Sequence, residues 1–288
     1  MEIAVGSDLG IWQHQNNDSY LSEKIAPGIN FFGIADGFGG VGNGLPTAAV
    51  ALETVRDYLH KRQRMGAGRG RATSPASVRA LLLAALDHAN ARLFALGGSH
   101  EDFVGSGTSL TAVLLVGHHA FVGHVGDGRA YLLRRDHLES LTADDALFAD
   151  VMAGAKTALP AKPRMQSVLW RSLGTQAKLE ASIAHIELLA GDQLVLCTDG
   201  VHRCLSSEEI GRALVESETA SDAVGRLLAT TKTRGNLDNG TLIVGRDLLA
   251  TQSVPSGGAS GIVGLRIVFG LLTLVALALG LAMLVVHT

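Results

Sequence analysis

The chain has 288 residues, a formal net charge of −3 and two cysteines. That length admits one large domain with an appendage. The charge leaves no electrostatic footprint for nucleic acid, and Cys197 and Cys204, without an export signal, support neither a disulfide framework nor a four-ligand zinc site.

Residues 1–8 have no basic start and no long apolar run, so no signal peptide is expected. A strand is expected over 3–7. The apolar run Phe31-Phe32-Gly33-Ile34-Ala35 stops abruptly at Asp36-Gly37 and reads as a buried strand ended by a turn. A helix follows over 45–60. The basic stretch Lys61-Arg62-Gln63-Arg64, continuing to Arg69 and Arg71, reads as a solvated loop, with contact to anionic lipid or a partner as the alternative. Ser74 as cap and Pro75 at the first helical position open a second helix over 75–96. Strands are expected over 110–116 and 121–126, joined by a hairpin turn at Gly117-His118-His119, and then over 130–134. The second of these runs stops at Asp127-Gly128, and a later one over 194–198 stops at Asp199-Gly200. Ser206 and Glu209 form a capping-box pattern before a helix, another helix spans 220–232, and a last strand covers 241–244. Strand pairs alternating with helix pairs in this order indicate a layered α+β fold.

The composition then breaks. Residues 247–265 are rich in Ser and Gly and read as a flexible linker after a domain of residues 1–246. Residues 267–286 are uncharged and almost wholly apolar, long enough to span a bilayer as one helix over 266–286. Without a signal peptide the preceding domain is expected on the cytoplasmic side, and Arg266 at the entrance agrees with positive charge remaining inside. A buried core helix is the other reading, but a water-soluble helix normally keeps a polar face. The expectation is a single-pass membrane protein, partnered with the membrane through its C-terminal helix.

A lone Asp-Gly is a common turn pair. Several at strand ends mean more if they converge, because Asp36, Asp127, Asp199 and Asp238 gathered at one edge would require cations. Oxygen ligands without thiolates favour Mg2+ or Mn2+. Two such ions can activate a water and clamp a phosphoryl group for in-line attack. Glycine after three of these acids permits close backbone approach.

The motifs Ser7-Asp8-Leu9-Gly10 with Asn16-Asn17-Asp18, Ala35-Asp36-Gly37-Phe38-Gly39-Gly40 with Gly44, Gly105-Ser106-Gly107-Thr108-Ser109, Gly126-Asp127-Gly128-Arg129, Thr198-Asp199-Gly200 and Asp238-Asn239-Gly240-Thr241 run in one order through the soluble domain. In that order and spacing the chain resembles the metal-dependent Ser/Thr protein phosphatases (PPM, type 2C) of the bacterial type. The resemblance implies a four-layer α-β-β-α sandwich of two antiparallel sheets flanked by helices. It implies that Asp36 bridges two Mn2+ or Mg2+ ions and that the Gly37 carbonyl binds one of them. Asp199 and Asp238 would complete the second ion's site, Asp127 with Asp199 would hold a third, weaker ion that some members use, and Asp18 would orient the attacking water. Phosphorylated proteins, and a Ser/Thr kinase with its substrates, are the implied partners.

Two positions depart from that pattern. Gln13 stands where the family usually has an Arg to hold the substrate phosphate, and Asn17 replaces an acidic residue before Asp18. Losing a charge-assisted hydrogen bond to phosphate costs about 1.5–3 kcal/mol. His14 and Arg129 are candidate substitutes for the missing Arg. The weakened site leaves an alternative open, a phosphatase fold used as a catalytically weak or silent binding module. His118-His119 lacks metal-ligand spacing, and Gly105-Ser106-Gly107 has no Walker Lys after it and reads as strand entry.

Overall fold

The computed structural model describes residues 1–40, 47–66, 74–146 and 169–249. The chain divides into two units, Met1–Ala250 and Thr251–Thr288. The linker beyond residue 249 and the expected membrane helix over 266–286 lie outside the described residues. Among the described residues, no helix is long and apolar enough to cross a membrane.

In chain order the elements are β1 (Glu2–Asp8), β2 (Asp18–Ala26), β3 (Ile29–Phe38), α1 (Thr47–Gly66), α2 (Pro75–Gly97), β4 (Gly107–Thr108), β5 (Leu110–Val116), β6 (His119–Val125), β7 (Arg129–Arg134), β8 (His137–Ser140), β9 (Ser182–Glu187), β10 (Gln193–Cys197), α3 (Asp199–His202), α4 (Ser207–Glu216), α5 (Ala220–Thr233) and β11 (Gly240–Arg246). Two antiparallel sheets form, one in the order β1-β11-β10-β7-β8 and the other β2-β3-β5-β6-β9, with β4 paired to β3.

The layering follows from the period of two along each strand, which sends alternate side chains to opposite faces. In β3, Phe31 and Ala35 face α1 and α2, joining Leu52, Val55, Leu82 and Leu86. Phe32 and Ile34 point the other way, into a core shared between the sheets with Val113, Val122, Leu132, Leu196 and Ile243. The outer face of the β1-β11-β10-β7-β8 sheet buries Tyr131, Val195 and Val244 against Ile210, Leu214 and Leu227 of α4 and α5. Three apolar interfaces between four layers give the expected α-β-β-α sandwich.

The helix signals act as anticipated. The Ser74 side chain accepts from Ser77 N with Pro75 in the first turn of α2, and Ser206 and Glu209 cap α4 reciprocally. Three strands that have no apolar run, β2, β8 and β9, all lie at sheet edges. The packed chain also continues past residue 246, since Leu248 is buried in the core between the sheets.

Candidate active site

Five carboxylates arrive at one place from five segments. Asp18 opens β2 and stands opposite Asp36 near the end of β3 in the antiparallel register. Asp127 occupies the turn between β6 and β7, Asp199 begins α3 directly after β10, and Asp238 lies just before β11. Loss of water around the Asp36 carboxylate, followed by repulsion from Asp199, Asp18, Asp127 and Asp238, pushes its pKa well above the usual carboxylate range. Burial raises Asp18 and Asp127 to about 7 each, with repulsion from Asp199 adding to both. Burial also raises Asp199, Arg203 works against that shift, and Asp238 adds to it.

The backbone around these acids is tied from several sides. Thr108 Oγ1 donates to the Asp36 carbonyl at 2.8 Å, and Ser109 N–H donates to the same oxygen at 2.9 Å. Gly37 N–H donates to the Asn17 carbonyl at 3.2 Å, so position 17 serves the site through its backbone. Thr198 Oγ1 donates to Asp18 Oδ2 at 2.8 Å and accepts from Thr241 N–H at 2.9 Å, joining the two sheets beneath the acids. Asn239 Oδ1 accepts from Asn17 N–H at 2.7 Å, while its amide donates to the Leu9 and Gln15 carbonyls at 2.8 and 3.3 Å, clasping the 9–17 loop. Glycine is required at 200, where a Cβ would stand 1.9 Å from the Asn239 carbonyl oxygen. It is required at 10 as well, where φ is +76° and a Cβ would meet the Asp238 carbonyl at 2.1 Å.

The donor set suits hard divalent cations. Asp18 Oδ1 and Asp199 Oδ1 are buried without a hydrogen-bond partner, and Asp199 feels a hydrogen bond from the Asp36 carboxyl. Two carboxyls in such contact must share a proton or a cation. Among the described residues, no three acidic, His or Cys side chains enclose an ion by themselves. Mg2+-like ions are held by one or two carboxylates, with waters and carbonyls supplying the rest.

The two side chains expected on the substrate phosphate both have acidic partners. Gln13 Nε2 donates to Asp238 Oδ1 at 2.8 Å, which places it at the site rim but tied to an acid. Arg129 is held by Asp144 through two parallel bonds of 2.8 Å and by Tyr131 Oη at 3.3 Å. Arg203 lies between Asp127 and Asp199, at 3.2 and 2.7 Å. Sequence reasoning missed Thr198, Asn239 and Arg203 as contributors, although the first two lie inside motifs that the sequence singles out. His14 is exposed.

The protein phosphatase 2C family model matches residues 12–243. The serine/threonine protein phosphatase PstP of Mycobacterium tuberculosis is 30% identical over 91% of this chain, which in turn covers 48% of that longer protein. The chain thus spans about half the length of that relative. Among solved structures, the serine/threonine phosphatase of S. agalactiae superposes with a TM-score of 0.74 at 25% identity, covering 84% of this chain and 98% of that one. The catalytic domain of PstP in complex with two manganese ions superposes with a TM-score of 0.67 at 28% identity over 84% of this chain and 96% of its own. With the family model matched across nearly the whole described unit and the acidic motifs folded together, the chain belongs to the protein phosphatase 2C family.

Proposed function

We propose that the chain hydrolyses phosphoserine and phosphothreonine on proteins in a divalent-metal-dependent reaction. The observation that carries this is the convergence of Asp18, Asp36, Asp127, Asp199 and Asp238, where burial first and then repulsion between neighbours raises the proton affinity of the first four. Mn2+ or Mg2+ bound there supplies a Lewis-acid clamp on phosphoryl oxygens and a potent nucleophile at neutral pH. Asp36, Asp199 and Asp238, with the Gly37 carbonyl, hold two ions. Asp18, fixed through Oδ2 by Thr198 and with Oδ1 buried and unpartnered, would orient a metal-bound water. Gln13 steadies Asp238. Exposed Ile11 and Trp12 beside it offer apolar surface to residues flanking a phosphorylated side chain. Asp36→Asn or Asp199→Asn in the full chain abolishes Mn2+-dependent release of phosphate from a phosphothreonine peptide. Undiminished release from either variant contradicts the proposal.

The tie between Gln13 and Asp238 favours a second reading, a weak or silent binding module, because no described guanidinium waits for substrate at that position. Gln13→Arg separates the two readings. An impaired enzyme lowers its KM for phosphopeptide about tenfold, in line with the value of a charge-assisted bond, whereas a silent module stays inactive.

The localisation proposal rests on the apolar stretch 267–286. It anchors the phosphatase domain to the cytoplasmic face of a membrane and brings it close to membrane-bound phosphoproteins and an opposing Ser/Thr kinase. Recovery of the full chain in the soluble fraction after cell lysis contradicts that part.

A further inference from the structure

The two expected ligands of a third ion are bridged by a cation that belongs to the chain. Arg203 Nη1 lies 2.7 Å from Asp199 Oδ2, and Nη2 lies 3.2 Å from Asp127 Oδ2. The geometry is built by α3. Arg203 follows that helix one turn after Asp199, its N–H donates to the Asp199 carbonyl at 2.9 Å, and the turn carries the guanidinium back over the Asp199 carboxylate. The neighbouring residue secures the other partner, since His202 Nε2 donates to the Asp127 carbonyl at 2.8 Å. The β6–β7 turn is thereby gripped twice, by its backbone through His202 and by its side chain through Arg203. Both carboxylates are almost fully buried, while Arg203 keeps a third of its side chain at the surface and covers them.

A guanidinium is a planar fork that stays charged at all working pH values, and it satisfies two carboxylates at once. A divalent ion entering between Asp127 and Asp199 would have to displace this tethered charge, whose effective concentration is high.

Building on the metal-dependent reading above, we infer that the Arg203 guanidinium permanently takes the place of a third divalent ion. Asp127 then anchors Arg203 rather than a metal, and Arg203 is a positioning residue that orients Asp199 toward the ions it does bind. The chain holds two divalent ions, as in the manganese complex of its relative, and its Asp127–Asp199 position is closed to metal.

The test counts Mn2+ bound to the purified full chain by titration calorimetry, with the free ion followed by electron paramagnetic resonance. The expected count is two in the wild type and two in Asp127→Asn. It rises to three in Arg203→Ala and returns to two in the double variant Arg203→Ala/Asp127→Asn. A wild type that binds three ions and loses one in Asp127→Asn overturns the inference, and so does an Arg203→Ala chain that still binds two. If Arg203→Ala does not fold, the comparison of wild type with Asp127→Asn decides alone. A wild type that binds no Mn2+ contradicts the metal-dependent reading and this inference with it, whereas a count of three contradicts only the inference.

Discussion

Asp18 is held in a form that water would not choose. The residue is 8% exposed, one carboxylate oxygen accepts from Thr198 and the other has no partner. Burial first, then repulsion from Asp199 and Asp238, lifts its pKa from 3.8 to about 7, and hydrogen bonds from Thr241 and Thr198 offset only part of that rise. At about 1.4 kcal/mol per unit, ionising Asp18 in the folded metal-free chain costs on the order of 4 kcal/mol. Between pH 3.8 and about 7 the folded chain keeps a proton that the unfolded chain has released, so stability falls as pH rises through that window and the loss is complete above it. Asp18→Asn removes the charge and leaves an oxygen for Thr198 to bond. In chelator, variant and wild type should agree within about 1 kcal/mol at pH 4, and the variant should be more stable by on the order of 4 kcal/mol at pH 8. For a unit of this size that is a gain of roughly 8–16 °C in Tm. Mn2+ should narrow or reverse the difference, because an ion that binds only the folded wild type stabilises it by mass action. Thermal unfolding followed by circular dichroism at the two pH values, with chelator and with Mn2+, checks this. A variant less stable than wild type at pH 8 in chelator would refute the argument from a buried, uncompensated charge.

Two further substitutions probe the framework. Thr198→Val keeps the shape but strips Asp18 Oδ2 of a donor and Thr241 N–H of an acceptor. Two buried groups left unpaired cost about 2–6 kcal/mol, read by urea unfolding, and a loss under about 1 kcal/mol would show that water replaces the hydroxyl. Gly200→Ala drives a methyl into the Asn239 carbonyl and shifts the Asp238 segment. Mn2+ affinity measured by calorimetry should drop tenfold or more with the fold retained, whereas unchanged affinity would remove Asp238 from the metal site.

The layered fold was legible wherever burial writes itself into the sequence. The strands β3, β5, β6, β10 and β11 are buried along most of their length, so each shows as an apolar run, and the Asp-Gly pairs after three of the runs announced the acids, although β3 continues through Asp36-Gly37 to Phe38, paired with β2 and β4, where a turn was expected. The edge strands β2, β8 and β9 carry exposed polar residues and gave no such run. Their pairing is fixed by neighbours far along the chain. Leu248 was read as linker because two apolar residues next to a Ser- and Gly-rich stretch look the same whether or not a core receives them.

At the site, the acids and their glycines could be anticipated, but the fates of the cations could not. Arg129, a candidate for the substrate phosphate, pairs with Asp144, fifteen residues on. Arg203 stood one helical turn after Asp199, and that spacing alone could have flagged it as a partner for the acid. Nothing in the spacing pointed to its second partner, Asp127, which lies 76 residues away. The bond from Gln13 to Asp238 depends on how the 9–17 loop is clasped by Asn239, which no local pattern announces.

The most direct test of the account is phosphate release from a phosphothreonine peptide by the purified full chain, measured with Mn2+, with Mg2+ and with chelator. The account predicts release with either ion and none in chelator. Release that persists in chelator, or no release with any ion from a chain shown to be folded, would contradict it.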